Sequence, residues 1–274
     1  GARLLTQEMD AELTRQLTAA GYARMLLPAD STARAAIPLV AAELESAFQG
    51  RGTRVDAQAG LSIAAFPERA QLRYIPGQLN DSSALVGALE MASGTLRAVA
   101  MRALAACSSA GAPTAGDSLL DAFMYPGAEG WGSRPGQPPA PCPAHEDLGL
   151  VTVIVDDSAA LEVRDAGGAW QQLPPLRANE CVVIAGRALA ALTKGSVPAC
   201  VHRVRRTQKR RTSLVFEVRP DECAARRQGE AAGLDRQETS LASEAAASEA
   251  AYARAAAALL SQRPRGRVAE CVVM

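Results

Sequence analysis

Apolar positions recur at helical spacing near the start of the chain and at strand spacing over its middle. From Thr6 to about Ala20, Leu13 and Leu17 fall on one face, which predicts a helix that Gly21 ends. Tyr22-Ala23-Arg24-Met25-Leu26-Leu27 reads as a short strand. Pro28 and Asp30-Ser31-Thr32 punctuate it and cap a second helix, about Ala33 to Phe48. Residues 50–82 are rich in glycine, arginine and proline, with short apolar pieces such as Leu61-Ser62-Ile63. Leu85, Leu89, Leu96, Val99 and Leu104 then recur at helical spacing and predict a third helix from Ser83 to about Ala106.

The pattern changes beyond that helix. Ser118 to Tyr125 reads as a strand, and the six prolines of residues 126–144 (Pro126, Pro135, Pro138, Pro139, Pro141 and Pro143) demand a loop. Short apolar runs separated by turns follow at 149–155, 160–164, 181–184, 200–204 and 212–218. A series of this kind suggests a β-sandwich or jelly roll. From about Leu234 to Leu260 the composition is alanine and glutamate, a helix by propensity, and Arg263-Pro264-Arg265-Gly266-Arg267 begins a basic tail. The expected organisation is a helical N-terminal region over 1–115, a β-rich core over 116–222, and a C-terminal helix and tail over 223–274. That is an α+β fold, mainly β in its core.

Composition narrows the function classes. The 274 residues are 48% hydrophobic, much of it alanine, and only 4% aromatic. Net charge is zero, so overall charge gives no case for a nucleic-acid partner. The six cysteines, at 107, 142, 181, 200, 223 and 271, show no zinc-type spacing, and reduced thiols in an intracellular, cytoplasmic protein are expected. No run of about 18 apolar residues appears, so no membrane-spanning helix is expected.

The chemistry lies with two histidines, His145 and His202. His145 and Asp147 are two apart, and on a strand such residues share a face. Two imidazoles and one carboxylate can hold a divalent iron and leave coordination positions open. Arg211 and Ser213 are again two apart on an expected strand. A guanidinium grips a carboxylate through paired hydrogen bonds, and the hydroxyl adds another, so a dicarboxylate could bind iron at one end and Arg211 at the other. Alone, either motif is common and uninformative; their order and strand context make the case.

The residues around these motifs resemble the iron- and 2-oxoglutarate-dependent dioxygenases, in the branch of isopenicillin N synthase and the plant flavonoid and hormone oxygenases. Gly149 and Thr152 follow His145-x-Asp147 at that family's spacing, and Leu161-Glu162-Val163, Gly168-Ala169-Trp170, Pro174-Pro175, Val182-Val183 and Gly186 continue the match. Leu192-Thr193-Lys194-Gly195 resembles the family's L-T-N-G, ahead of His202-Arg203-Val204, Arg211-x-Ser213 and Pro220. Tyr125-Pro126 resembles the end of its N-Y-Y-P strand, and Gly21-Tyr22 and Tyr74-Ile75-Pro76-Gly77 its N-terminal region more loosely. The resemblance implies a double-stranded β-helix, with His145, Asp147 and His202 on Fe(II). It implies Arg211 and Ser213 on the distal carboxylate of 2-oxoglutarate, with Tyr125 as a further contact. It also implies dioxygen as oxidant and ascorbate as a candidate reductant. Succinate would form as a small organic substrate is oxidised, hydroxylation being the default outcome. The chain departs from the pattern at Phe123, where the family has asparagine, at Arg187, where it has aspartate, at Glu146, and in a longer 126–144 loop.

Strand alternation extends the site. If Arg211 and Ser213 face the cavity, so do Val215 and Glu217, and with Phe123 these are the candidate substrate contacts. Glu217 either binds an amine or hydroxyl of the substrate or, if the strand ends early, is solvated. Trp131 is a lid or, more commonly for such a residue, a loop anchor; Trp170 matches a structural turn position. Arg203, Arg205, Arg206, Lys209 and Arg210 carry no aromatic for base stacking and read better as a solvated hairpin than as a nucleic-acid contact. Cys271-Val272-Val273-Met274 fits a farnesylation signal, with Arg263, Arg265 and Arg267 upstream; membrane association is expected only if Cys271 carries the lipid. Three other readings stay open: a protein or nucleic-acid hydroxylase of the same fold, a homologue without turnover, and the branch resembling isopenicillin N synthase itself, which uses no 2-oxoglutarate and is not distinguished by Arg211-x-Ser213. No feature sets the oligomeric state.

Overall fold

Alternation along the strands divides the molecule into an outer apolar core and an inner wall that carries chemistry. The computed structural model describes residues 2–49, 55–56, 60–65, 69–79, 81–107, 115–127 and 141–220. In chain order the elements begin with α1 (Ala2–Ala20), β1 (Tyr22–Leu26), and a single 3-10 turn at Ala33–Ala35 that runs into α2 (Ala36–Phe48). Next come β2 (Val55–Asp56), β3 (Leu61–Ala65), β4 (Ala70–Tyr74), α3 (Ala84–Cys107), β5 (Ala115–Tyr125), β6 (Cys142–His145) and β7 (Val151–Asp156). The series closes with β8 (Leu161–Arg164), β9 (Trp170–Gln172), β10 (Glu180–Ala185), α4 (Arg187–Leu192), β11 (His202–Val204) and β12 (Arg211–Pro220).

Eight strands form one sheet in the order β1-β10-β7-β12-β5-β4-β3-β2, and four form a second in the order β6-β11-β8-β9. Every pairing is antiparallel. Two such sheets face to face make the double-stranded β-helix. The helices cover the outer face of the large sheet: Leu17, Leu44, Leu89, Leu96 and Leu104 pack with Leu72, Leu120, Val153, Val183, Leu214 and Phe216. By length and composition α3 could cross a membrane, yet here its buried face belongs to this core. On the inner face, Ile154, Val182 and Ile184 meet Leu161, Val163 and Cys200 of the small-sheet side.

Four strands, β1 to β4, come from the stretch expected to be mainly helical, and they make up half of the large sheet. The boundary expected at 115/116 is therefore no structural divide. The β3–β4 hairpin is hard to read because its inward positions are polar. Leu72 and Tyr74 face the outer core while Gln71 and Arg73 alternate with them. The short β6, β9 and α4 were likewise not expected. The expected C-terminal helix and tail, with Cys271, and Trp131 lie outside the described residues.

Candidate metal centre

Strand pairing brings the two histidines together. His202 on β11 lies directly opposite His145 on β6, with ring centroids 4.3 Å apart. Asp147 follows β6 by two residues and turns its carboxylate between them. Its Oδ1 lies 3.5 Å from His145 Nε2 and 3.7 Å from His202 Nε2. One ligand atom from each residue falls within 4.8 Å of the other two.

The donor set fits a divalent first-row metal on two counts. His145 Nδ1 lies 2.9 Å from the Pro143 carbonyl and His202 Nδ1 lies 3.1 Å from the Cys200 carbonyl. A carbonyl only accepts, so each Nδ1 carries a proton, and Nε2 is the ring atom left to meet a metal beside Asp147. Asp147 Oδ2 is buried without a hydrogen-bond partner, an orphan that a cation would satisfy. On their own, the three residues carry the charges of a carboxylate–imidazolium pair, whose His145 Nε2 proton a metal would displace. Burial opposes ionisation of Asp147, but the flanking histidines outweigh it and hold the carboxyl down at about 2. Burial also opposes charge on His145, and the Asp147 carboxylate and Cys142 overcome it, lifting the imidazole to about 11. His202, deeper, is shifted down by burial.

The loop bearing Asp147 is fixed from two sides. The Arg187 N–H at the start of α4 donates to the Asp147 carbonyl at 2.8 Å, and the Gly186 N–H donates to that of Leu150 at 3.0 Å. The approach is so close that a Cβ on Gly186 would sit 2.2 Å from the Gly149 oxygen. From below, Glu217 Oε1 accepts the Gly149 N–H at 2.9 Å, and its Oε2 accepts from Arg219 Nε at 3.2 Å. Glu217 thus faces inward, and burial shifts its carboxyl up. Both its oxygens are engaged, which makes it a strut under the ligand loop before it can be a substrate contact. Val215 and Phe123 share the inner wall, Val215 packing toward Ile154 and Val182.

At the far end of that wall, Arg211 lies opposite Tyr125 and its guanidinium carbon is 5.5 Å from the Tyr125 ring centre. Arg211 Nη1 donates to Ser213 Oγ at 3.0 Å, so the two residues expected to act together do touch. Burial raises the Tyr125 hydroxyl, while Arg211 and Arg69 pull the other way.

Four inward side chains escaped the sequence reading. Asp156 on β7 accepts from Arg211 Nη2 at 2.9 Å. Arg73 grips Asp121 through Nε at 2.9 Å and Nη2 at 2.8 Å. Gln71 is buried with its Oε1 unpartnered. The strand alternation of Gln71 and Arg73 was the one available signal. Two residues of the basic stretch after His202 are engaged by the protein itself: Arg203 pairs with Glu162 at 2.6 Å and lies over the Trp170 ring, and Arg210 pairs with Glu45 at 3.1 Å.

Comparison with known proteins agrees with this geometry. Residues 123–220 match the 2OG-Fe(II) oxygenase superfamily. Over 71 residues the chain is 41% identical to the 2-oxoglutarate-dependent dioxygenase AOP3 of Arabidopsis thaliana, covering 26% of this chain and 17% of that protein. It is 38% identical over 82 residues to homoarginine-6-hydroxylase 2-ODD-C23.1 of the same plant, covering 29% and 24%. The match therefore spans less than a quarter of the length of either curated relative. Among solved structures, a full-length Neurospora crassa protein in complex with alpha-KG and 5-formyluracil superposes with a TM-score of 0.64 at 21% identity, covering 80% of each chain. The dioxygenase for auxin oxidation of rice superposes at 0.63 and 18% identity, covering 79% of each. At these identities the superpositions establish the fold.

Proposed function

From its membership of the 2OG-Fe(II) oxygenase superfamily, to which residues 123–220 assign the chain, we propose that it is an Fe(II)- and 2-oxoglutarate-dependent dioxygenase that hydroxylates a small organic substrate. The observation that carries this reading is the convergence of His145, Asp147 and His202, with an unpartnered carboxylate oxygen among them. Bound iron supplies the activation of dioxygen, and the balance is one 2-oxoglutarate, one dioxygen and one substrate C–H converted to succinate, carbon dioxide and one C–OH.

The chain's own residues do the placing. His145, Asp147 and His202 would hold the iron. Arg211 and Ser213 take the distal carboxylate of 2-oxoglutarate, with Tyr125 beside them, and so orient its 2-oxo acid end toward the metal. Phe123 and Val215 give the wall between these ends an apolar surface that keeps water from the reacting carbon. Gln71, whose buried Oε1 has no partner, offers a hydrogen bond to a polar substrate on the neighbouring strand. A small-molecule substrate is favoured by the relatives, one of which is by name a homoarginine hydroxylase and another a dioxygenase for auxin oxidation.

The test is a screen of small metabolites scored by succinate release. Succinate formation that requires added iron and 2-oxoglutarate and rises with one compound class supports the reading. Iron-loaded protein that forms none, with or without candidate substrates, marks a homologue without turnover.

A further inference from the structure

Arg211 is 2% exposed and Asp156 is 4% exposed, and they form an ion pair at 2.9 Å inside the β-helix. The register explains the meeting. Asp156 lies opposite Ser213 across β7 and β12, so both side chains point to the inner face beside Arg211. Asp157, the next residue, does not share this role; its Oδ1 accepts the Thr212 backbone N–H at 2.9 Å. The guanidinium is thus divided: Nη2 to Asp156, Nη1 to Ser213, and Nε buried with no partner. Its charge is compensated before any ligand arrives. An incoming carboxylate meets a cation already paired, with a second carboxylate next to it.

We propose that Asp156 is a built-in counter-anion that sets the affinity and selectivity of the cosubstrate site. The distal carboxylate of a 2-oxo dicarboxylic acid binds at Arg211 through Ser213 and the spare Nε, against the field of Asp156. The Asp156 carboxylate can accept a hydrogen bond from a neutral far end, such as a primary amide. The site therefore discriminates weakly between 2-oxoglutarate and the analogue with its distal carboxyl amidated. Arg69, which donates a hydrogen bond to the Tyr125 hydroxyl, is another cation facing this end.

This inference rests on the proposed 2-oxoglutarate-dependent activity, and the experiment separates the two. Iron-loaded full chain is titrated anaerobically by calorimetry with 2-oxoglutarate and with its distal amide, as wild type, Asp156→Asn and Arg211→Met. Removing one like charge beside a buried carboxylate is expected to tighten 2-oxoglutarate binding about tenfold or more in Asp156→Asn. The preference for 2-oxoglutarate over the amide should grow by a similar factor. The melting temperature of Asp156→Asn should also rise more on adding 2-oxoglutarate than that of wild type, because the ligand restores the lost partner of Arg211. Equal or weaker binding by a cooperatively folded Asp156→Asn overturns the proposal and leaves Asp156 as a support for Arg211. If that variant does not fold, the wild type decides: affinities for the two ligands within about tenfold support the proposal, and rejection of the amide by a hundredfold or more overturns it. Wild type that binds no 2-oxoglutarate, or Arg211→Met that binds it equally well, counts against the underlying activity instead.

Discussion

The two ends of the inner wall are built on opposite electrostatic plans. At the metal end, each histidine ties its Nδ1 to a backbone carbonyl, and Asp147 keeps one buried oxygen unpartnered. That end directs a carboxylate and two imidazole Nε2 atoms at one another, an arrangement a cation would hold together. At the far end, Arg211 already has a carboxylate partner and a hydroxyl, and its Nε has no partner. The contrast teaches that the first end is organised to gain a cation, whereas the second is organised to share one. Affinity for metal should be high and insensitive to distant changes; affinity for an anion should be adjustable.

Breaking the metal end gives the largest expected effect. His202→Ala removes one of the three ligands, and iron binding and succinate formation should each fall by more than about a hundredfold. Retained iron binding, measured by equilibrium dialysis, would show that the triad is not the metal site. Breaking the far end comes next. Arg211→Met strands Asp156 as a buried charge and should cost about 3–5 kcal/mol of stability in a denaturant titration, together with loss of 2-oxoglutarate binding. An unchanged unfolding midpoint would mean that the ion pair contributes nothing.

A smaller change sharpens the link between the ends. A Cβ at Gly149 would stand 2.7 Å from Glu217 Oε1 and 2.8 Å from the Val218 oxygen. Gly149→Ala should displace the Asp147 loop and weaken iron binding about tenfold. Unaltered iron affinity would show that the strut does not set ligand position. The smallest effect lies away from both ends. Lys194 has φ of 51°, a left-handed conformation that asparagine tolerates better. Lys194→Asn should stabilise the fold by about 0.5–1 kcal/mol without changing iron or 2-oxoglutarate binding. A loss of stability would assign Lys194 a contact of its own.

The parts of this picture that were legible in the sequence are the local ones. His145-x-Asp147 and Arg211-x-Ser213 are pairs within one stretch of chain, and the scarcity of histidine left His202 as the natural third ligand. The long strands β5, β7, β10 and β12 announced themselves through apolar runs. What stayed hidden depends on register between distant strands. Asp156 meets Arg211 across 55 residues and Arg73 meets Asp121 across 48, and no spacing within either segment signals the contact. The β3–β4 hairpin was obscured for a related reason: its inward positions serve the cavity, so polar residues interrupt the apolar pattern that marks a strand. Glu217 shows the intermediate case. Alternation correctly turned it inward, but only the fold reveals that Gly149 and Arg219 already occupy its oxygens.

The most direct test of the central claim is an anaerobic titration of the metal-free chain, first with Fe(II) and then with 2-oxoglutarate, followed by visible absorption. The account predicts that a single iron binds and that a charge-transfer band then grows in with 2-oxoglutarate. The band should be absent in His202→Ala and demand far more 2-oxoglutarate in Arg211→Met. Iron that binds without producing the band, or a band that persists in His202→Ala, would contradict it.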